Sequence, residues 1–440
     1  MPARPARPLV DWFSPLPPAR SDIAHFSARI LPALSTHADV RLWTDQPGSD
    51  PALARHAEVI VYDPRSIDLG KLNKSNLIFY NMGNDGRFHA AIREVMFKVP
   101  GVLVAHELSY HHSMYWDYMV RRQDPAAYLA LVEQRYGAEG LLAAKQHMDR
   151  GKPHIDDLAR QYPFIDYLAD ASLAVVCHTR AVEEAVAARG VGALRLPLAF
   201  QAPPNPPSKS RTSGVLEFVQ FGYIGPQRRL FSILGALARF RDKHPFRLRI
   251  FGELWDPDAV RAEIRRQRLD DLVSIVGFVA EPILDSAIAR ADLVFNLRYP
   301  SIGEASGSQM RIWAAGAPSV VTNTGWYGDL PDGTVIKIEQ DTEAADLDRV
   351  LATLARDRFA YTQTGLNGFK HLARHHSPDS YVEQLLAITE MTEERRSSMA
   401  YRHLTARADA AVERVFGRER AAKLKAVMNY QRKFDGSADD

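Results

Sequence analysis

Short, mainly apolar runs separated by helical stretches set the rhythm of this chain. In the first half, residues 59–62, 77–80, 102–105 and 174–177 read as strands, and the second half repeats the rhythm at 215–221, 246–251, 273–276, 293–297 and 319–322. Alternation of this kind predicts parallel sheets covered by helices, an α/β chain throughout. Between the halves lies Gln201-Ala202-Pro203-Pro204-Asn205-Pro206-Pro207-Ser208-Lys209-Ser210, which can neither propagate a helix nor sit inside a sheet. The expected organisation is therefore a domain over 1–200, a linker over 201–213, a second domain over 214–378 and helices over 379–440. Two similar α/β halves put a ligand in the cleft between them, beyond the carboxyl ends of the strands.

Composition narrows the class. With 440 residues, 46% of them apolar and 25% charged, the chain exceeds what one core normally holds and reads as globular. A formal net charge of +2 argues against a general nucleic-acid binder, so any cationic site is local. Cys177 is the only cysteine, which excludes an intramolecular disulfide and a cysteine-built zinc site and fits a reducing cytoplasm. The basic stretch from Met1 to Pro8 leads into no apolar run of signal-sequence length, and no apolar span of about 18 residues follows, so neither export by that route nor a place in a bilayer is expected. Arg418, Arg420, Lys423, Lys425, Arg432 and Lys433, in the helical tail, read as a solvated helix face, with peripheral association with an anionic membrane surface as the other reading.

Candidate chemistry gathers in Leu297-Arg298-Tyr299-Pro300-Ser301-Ile302-Gly303-Glu304-Ala305-Ser306-Gly307-Ser308-Gln309-Met310-Arg311. This run follows a strand, presents the carboxylate of Glu304 beside small residues, and opens an apolar helix that ends at Gly316. Ser306 followed by Gln309 is a capping-box pattern, which puts the amides of Gly307 and Ser308 at a helix start. Unpaired N–H groups and the positive dipole end there attract phosphate. Arg228 and Arg229 follow a Gly-rich turn after a strand, and a guanidinium at such a place carries a fork suited to phosphate oxygens. The expectation is an anion pocket with an acid at its rim.

Five segments jointly carry a resemblance: Phe221-Gly222-Tyr223-Ile224-Gly225-Pro226-Gln227-Arg228-Arg229, Phe251-Gly252-Glu253, Val276-Gly277-Phe278-Val279, Gly303-Glu304-Ala305-Ser306-Gly307-Ser308 and Gly316-Ala317-Pro318-Ser319-Val320-Val321. In order and approximate spacing, residues 220–331 resemble the nucleotide-binding half of GT-B glycosyltransferases, in particular the large retaining family 4. The resemblance implies two Rossmann-like domains facing a cleft, an acceptor held mainly by the first, a nucleotide diphosphate sugar held by the second, and last helices that cross back onto the first. It implies Gly222, Tyr223, Arg228, Arg229, Ser306, Gly307 and Ser308 around the diphosphate, Glu304 at the donor sugar, and Phe278 and Val279 against the base. His106, at the end of the strand at 102–105, resembles the first-domain histidine that reaches the donor sugar, so His106, Glu304 and Arg228 are the expected catalytic set.

Three positions depart from the family pattern. Tyr223 stands where an arginine is common, so one positive charge is lost, and Arg229 is the residue available to compensate. Arg311 stands near the second acid that holds the ribose, a departure shared with a branch whose signature runs Glu, small residue, Ser, Gly, Ser. Asp22 replaces a glycine in the loop from Ser14 to Ala24, where an acid repels a diphosphate unless the loop sits back or the acid faces the acceptor.

The implied activity is retaining transfer of a sugar from a nucleotide diphosphate donor to a saccharide, lipid-linked or other hydroxyl acceptor, with no cofactor. No catalytic metal is expected: Asp256-Pro257-Asp258 reads as a helix start and Asp346-Leu347-Asp348 as a charged helix face. A zinc-protease reading of His106-Glu107 fails because Tyr110 stands where the second histidine is needed, and a nucleophile elbow fails because Ala305 stands where serine is needed. Tyr110, His111, His112, Met114, Tyr115 and Trp116 read either as an acceptor-side wall or as ordinary core, and residues 80–85 as a ligand loop or a plain turn. Two other functions share this pattern, a sugar-nucleotide epimerase of the same fold and a non-catalytic sugar-nucleotide-binding subunit.

Overall fold

The computed structural model describes residues 7–206, 214–393, 395–397 and 399. A stretch of the expected linker, 207–213, lies outside the described residues, and so do Arg418, Arg420, Lys423, Lys425, Arg432 and Lys433 of the expected basic helices. Among the described residues, β1 (Leu9–Phe13), β2 (Asp39–Thr44), β3 (Glu58–Val61), β4 (Leu77–Met82), β5 (Val102–Ala105), β6 (Ala174–Cys177) and β7 (Ala193–Arg195) form one parallel sheet in the order β3-β2-β1-β4-β5-β6-β7. A second parallel sheet has the order β10-β9-β8-β11-β12-β13, from β8 (Leu216–Ile224), β9 (Phe246–Leu254), β10 (Val273–Gly277), β11 (Leu293–Phe295), β12 (Ser319–Thr322) and β13 (Ile336–Ile338). Each is a doubly wound arrangement, with a switch in strand order beside the first strand of its half.

The central strands β5, Val-Leu-Val-Ala, and β6, Ala-Val-Val-Cys, are buried along their whole length, as a sheet covered on both faces requires. β1 and β2 are equally central but carry an internal ion pair. Arg41 donates to Asp11 through Nε at 2.6 Å and Nη2 at 2.7 Å, and Trp43 Nε1 adds a third donor at 2.7 Å. With Asp11 fully buried, those donors offset the desolvation of the carboxylate.

β8 runs on to Ile224, so Gly222 and Tyr223 pair with Gly252 and Glu253 of β9 rather than forming a turn. A Cβ on Gly252, at φ +104°, would fall 2.1 Å from the Gly222 carbonyl oxygen, so the strands can approach this closely only with glycine at 252. The helix Pro378–Leu386 lies against the helix Asp22–His37 of the first half, where Tyr381 meets Phe26 edge-on at 5.7 Å. The described residues up to Ala387 form one compact unit and those from Ile388 on a second. No helix among the described residues is long and apolar enough to cross a membrane.

Candidate functional site

The helix Gly307–Ala314 begins as its sequence predicts, with Ser306 Oγ accepting from Gln309 N at 3.1 Å. Only half of the capping box is made. The Gln309 side chain instead donates to Ser319 Oγ at 2.9 Å and accepts from Asn296 Nδ2 at 2.9 Å, tying the helix start to β12. The Gly307 and Ser308 amides stand in the first turn, where no intrahelical acceptor exists.

Arg228 ends the short turn Pro226–Arg228 after β8 and is 2% exposed. Its Nη2 donates to the Phe221 carbonyl at 2.9 Å, while its Nε is buried without a partner. Burial, and after it the charge of Arg298, pushes this guanidinium down to about 10. A Cβ placed on Gly222 would stand 3.8 Å from Ser308 Oγ and 3.9 Å from Arg228 Nη2, so the arginine and the helix start flank one point at the end of β8.

Arg229 does not join them. Its left-handed backbone, φ 58°, sends the side chain to Glu343, which it grips through Nε at 3.0 Å and Nη2 at 2.8 Å. The compensation expected for Tyr223 is therefore corrected, because the second arginine already has a buried carboxylate. Asp22 does not sit back either: its Oδ2 lies 4.0 Å from where a Cβ on Gly307 would be, facing the helix start.

Across the cleft, the loop after β5 touches the loop after β11. A Cβ on Gly303, at φ +85°, would lie 2.3 Å from Leu108 Cβ, and Thr179 Oγ1 donates to the Gly303 carbonyl at 3.1 Å. This contact brings residues 106–108 against residues 303–304. His106 Nε2 is 3.1 Å from Asn81 Oδ1, and since Asn81 Nδ2 already donates to the Phe13 carbonyl at 3.0 Å, the imidazole is the donor. Burial, and then His178, holds His106 well below its usual range, so the ring is neutral with Nδ1 left as an acceptor.

Glu304 accepts from Ile302 N at 3.0 Å, and its Oε1 lies 3.1 Å from Arg298 Nη1. That contact is a charge pairing without hydrogen-bond alignment, which leaves Glu304 Oε1 and Arg298 Nε both buried and unsatisfied. Against the cost of burial, the Glu304 charge raises Arg298 above its ordinary value. Two residues given no role by the sequence reading belong here: Arg298, and Glu107, whose carboxyl accepts from Asn84 N at 3.0 Å. Burial, and then the charge of Glu304, pushes Glu107 up to about 7. Their sequence signal was position alone, each just past the carboxyl end of a strand.

No protein-family model matches the sequence, and a search of curated proteins gives no match. Solved structures do match. Anabaena HepE in complex with UDP and glucose aligns at TM-score 0.56 and 14% identity, over 87% of this chain and 100% of that one. Sucrose-phosphate synthase from Thermosynechococcus elongatus aligns at TM-score 0.56 and 16% identity, over 91% of this chain and 100% of that one. WaaG, a glycosyltransferase involved in lipopolysaccharide biosynthesis, aligns at TM-score 0.52 and 16% identity, over 87% of this chain and 99% of that one. The fold is GT-B.

The remaining expected residues divide between the GT-B cleft and the cores of its lobes. Phe278 is 74% exposed with the Arg20 guanidinium 5.2 Å from its ring centre, whereas Val279 is partly buried against the apolar cluster that includes Phe251 and Ile312. Tyr223 stands 60% exposed. Arg311 is paired with Glu281 at 2.6 Å and Asp285 at 3.6 Å. His111 is a core residue, bridged between the Tyr162 carbonyl and Tyr128 OH at 2.7 Å each, and Tyr110 and Met114 are buried with it. His112 sits between Asn84 at 2.8 Å and Asp156 at 2.8 Å. Asp256 caps the helix Pro257–Arg266, Asp346 pairs with Arg349, and Asp348 pairs with Arg239, so these acids have structural partners.

Proposed function

We propose that this chain is a retaining, metal-independent glycosyltransferase, moving a sugar from a nucleotide diphosphate donor to a saccharide, lipid-linked or other hydroxyl acceptor bound by the first lobe. One observation carries the reading: Arg228 Nε, Arg298 Nε and Glu304 Oε1 are buried without a hydrogen-bond partner, and Arg228 flanks the end of β8 together with Ser308 of the helix start. Unsatisfied buried polar atoms are costly in a folded protein, and these fit a polar, anionic ligand. HepE was solved with UDP, with UDP and glucose, and with UDP-glucose, and the likeness of fold supports the same ligand class for this cleft.

As the glycosidic bond breaks, negative charge grows on the departing diphosphate. Arg228 and the Gly307 and Ser308 amides are preorganised to receive it, the work a metal ion does elsewhere. Glu304 and the acceptor nitrogen of His106 orient the sugar hydroxyls. The acceptor proton passes to a phosphate oxygen on the same face, so no protein base is assigned. The lone thiol fits a cytoplasmic enzyme, working at the inner membrane face if its acceptor is lipid-linked.

A thermal-shift screen of nucleotide diphosphate sugars tests the donor, because a ligand selective for the native state raises its melting temperature. The anomeric configuration of the product tests retention. A non-catalytic sugar-nucleotide-binding subunit is the second reading, motivated by the departures at Asp22, Tyr223 and Arg311 as signs of lost catalysis. Tight diphosphate binding with no product from any acceptor would select it, and no shift with any nucleotide would refute both.

A further inference from the structure

We propose that Glu107 is a sugar-holding residue of this site: its protonated carboxyl donates a hydrogen bond to a hydroxyl of the transferred sugar, while that hydroxyl donates its own hydrogen to Glu304. The inference rests on the donor-site reading above and extends it to a residue outside the resemblance. Its basis is geometric. The Leu108 side chain resting on Gly303, together with the Thr179 hydrogen bond to the Gly303 carbonyl, presses the loop after β5 against the loop after β11. The residues that immediately flank this contact are Glu107 on one loop and Glu304 on the other.

The two acids are not equivalent. Glu304 has a cation, Arg298, at 3.1 Å. Glu107 forms no ion pair among the described residues, and the one protein hydrogen bond its carboxyl makes there is from the Asn84 amide to Oε1. Among the same residues Oε2 has no hydrogen-bond partner. The groups that face Glu107 electrostatically are Glu304 and Arg298 from the second lobe and Asp85 from the start of the helix Gly86–Met96, while His106 and Tyr110 share its own loop. Two acids and one arginine, itself committed to Glu304, favour the neutral form of Glu107. Burial acts in the same direction, and together they push it up to about 7. A neutral carboxyl facing an ion-paired carboxylate supplies one donor and one acceptor, which is what a single hydroxyl group needs on its two sides. Two carboxylates would offer that hydroxyl two acceptors and no donor.

The sign follows from the raised value. Below about pH 7 the donor hydrogen is present, and as pH rises through that value it is lost. Glutamine keeps an oxygen for the Asn84 amide and carries N–H donors at every pH. Alanine removes both.

The experiment measures binding by calorimetry from pH 5.5 to 8.5 on wild type, Glu107→Gln and Glu107→Ala. The probes are the sugar nucleotide giving the largest thermal shift in a panel of UDP-, GDP-, ADP- and dTDP-linked hexoses, and its free nucleoside diphosphate. Wild-type affinity for the sugar nucleotide is expected to fall about tenfold across the range, the worth of one lost hydrogen bond with its buried partner. Glu107→Gln is expected to bind with a flat profile, Glu107→Ala to bind weakly throughout, and neither variant to change affinity for the free diphosphate. Comparing variants with the same ligand cancels the titration of Asp85, His106 and the phosphates. A glutamine variant that keeps the alkaline fall overturns the proposal while leaving the donor site standing, as does an equal loss for sugar nucleotide and free diphosphate. Failure of wild type to bind any free diphosphate or sugar nucleotide overturns the donor-site reading and the proposal with it.

Discussion

Replacing Asp22 by asparagine should tighten binding of a nucleoside diphosphate. The Asp22 carboxylate faces the start of the helix Gly307–Ala314 from 4.0 Å, measured to the position of a Cβ on Gly307. That is where the proposed diphosphate would lie. Two unit charges about 4 Å apart repel by roughly 1 kcal/mol in water and roughly 4 kcal/mol at an effective dielectric near 20. Asp22 is exposed, so solvent screening keeps the effect toward the lower end, about 1–2 kcal/mol. Asp22 also lends negative charge to Arg228 and Arg29, and its loss leaves Arg228 with more unspent positive charge for the ligand. Asparagine preserves the size of the side chain at the first position of the helix Asp22–His37. Calorimetric titration of UDP at about 50 mM salt should give a Kd roughly tenfold lower for Asp22→Asn than for wild type, and the gap should shrink as salt rises. Equal affinities at low salt, or weaker binding by the variant, would refute the placement of the diphosphate at this helix start.

Arg228→Met should weaken diphosphate binding by about 10- to 100-fold, the loss of a charge-assisted contact of roughly 1.5–3 kcal/mol. Its melting temperature should stay level or rise, because among the described residues Arg228 has no carboxylate partner to strand; titration and thermal melts together check this. Glu107→Gln should stabilise the free protein in alkali. The half-buried carboxyl is raised from 4.5 to about 7, so stability present below pH 4.5 is lost as pH climbs through 7. Urea unfolding should show the variant more stable by up to about 3 kcal/mol at pH 8 and no different at pH 4.

Where burial alone decides a strand, the chain is easy to read. β5, β6 and β12 occupy the expected residues because each is a short apolar run buried on both faces. β1 and β2 are just as central yet gave no apolar signal, since Asp11 and Arg41 interrupt them and their pairing across the sheet appears only in three dimensions. The helix start at Ser306 was legible because a cap is a local device. The fates of Arg228 and Arg229 were not, because the left-handed backbone at Arg229 and the distant acid Glu343 separate neighbours that look alike in sequence. Glu107 and Arg298 acquire their character from contacts between lobes. Neither a motif nor a periodicity announces them.

Leu108 seated on Gly303 also bears on how long a ligand stays. Were the proposed donor held between Arg228 and Glu304, parting the lobes to release it would cost the Leu108 contact and the Thr179 hydrogen bond. Dissociation would then run at the pace of that opening rather than of diffusion. Nucleotide acquired in the cell could survive gel filtration, so a perchloric-acid extract of freshly purified protein, run by ion-pair chromatography, is a direct place to look for it.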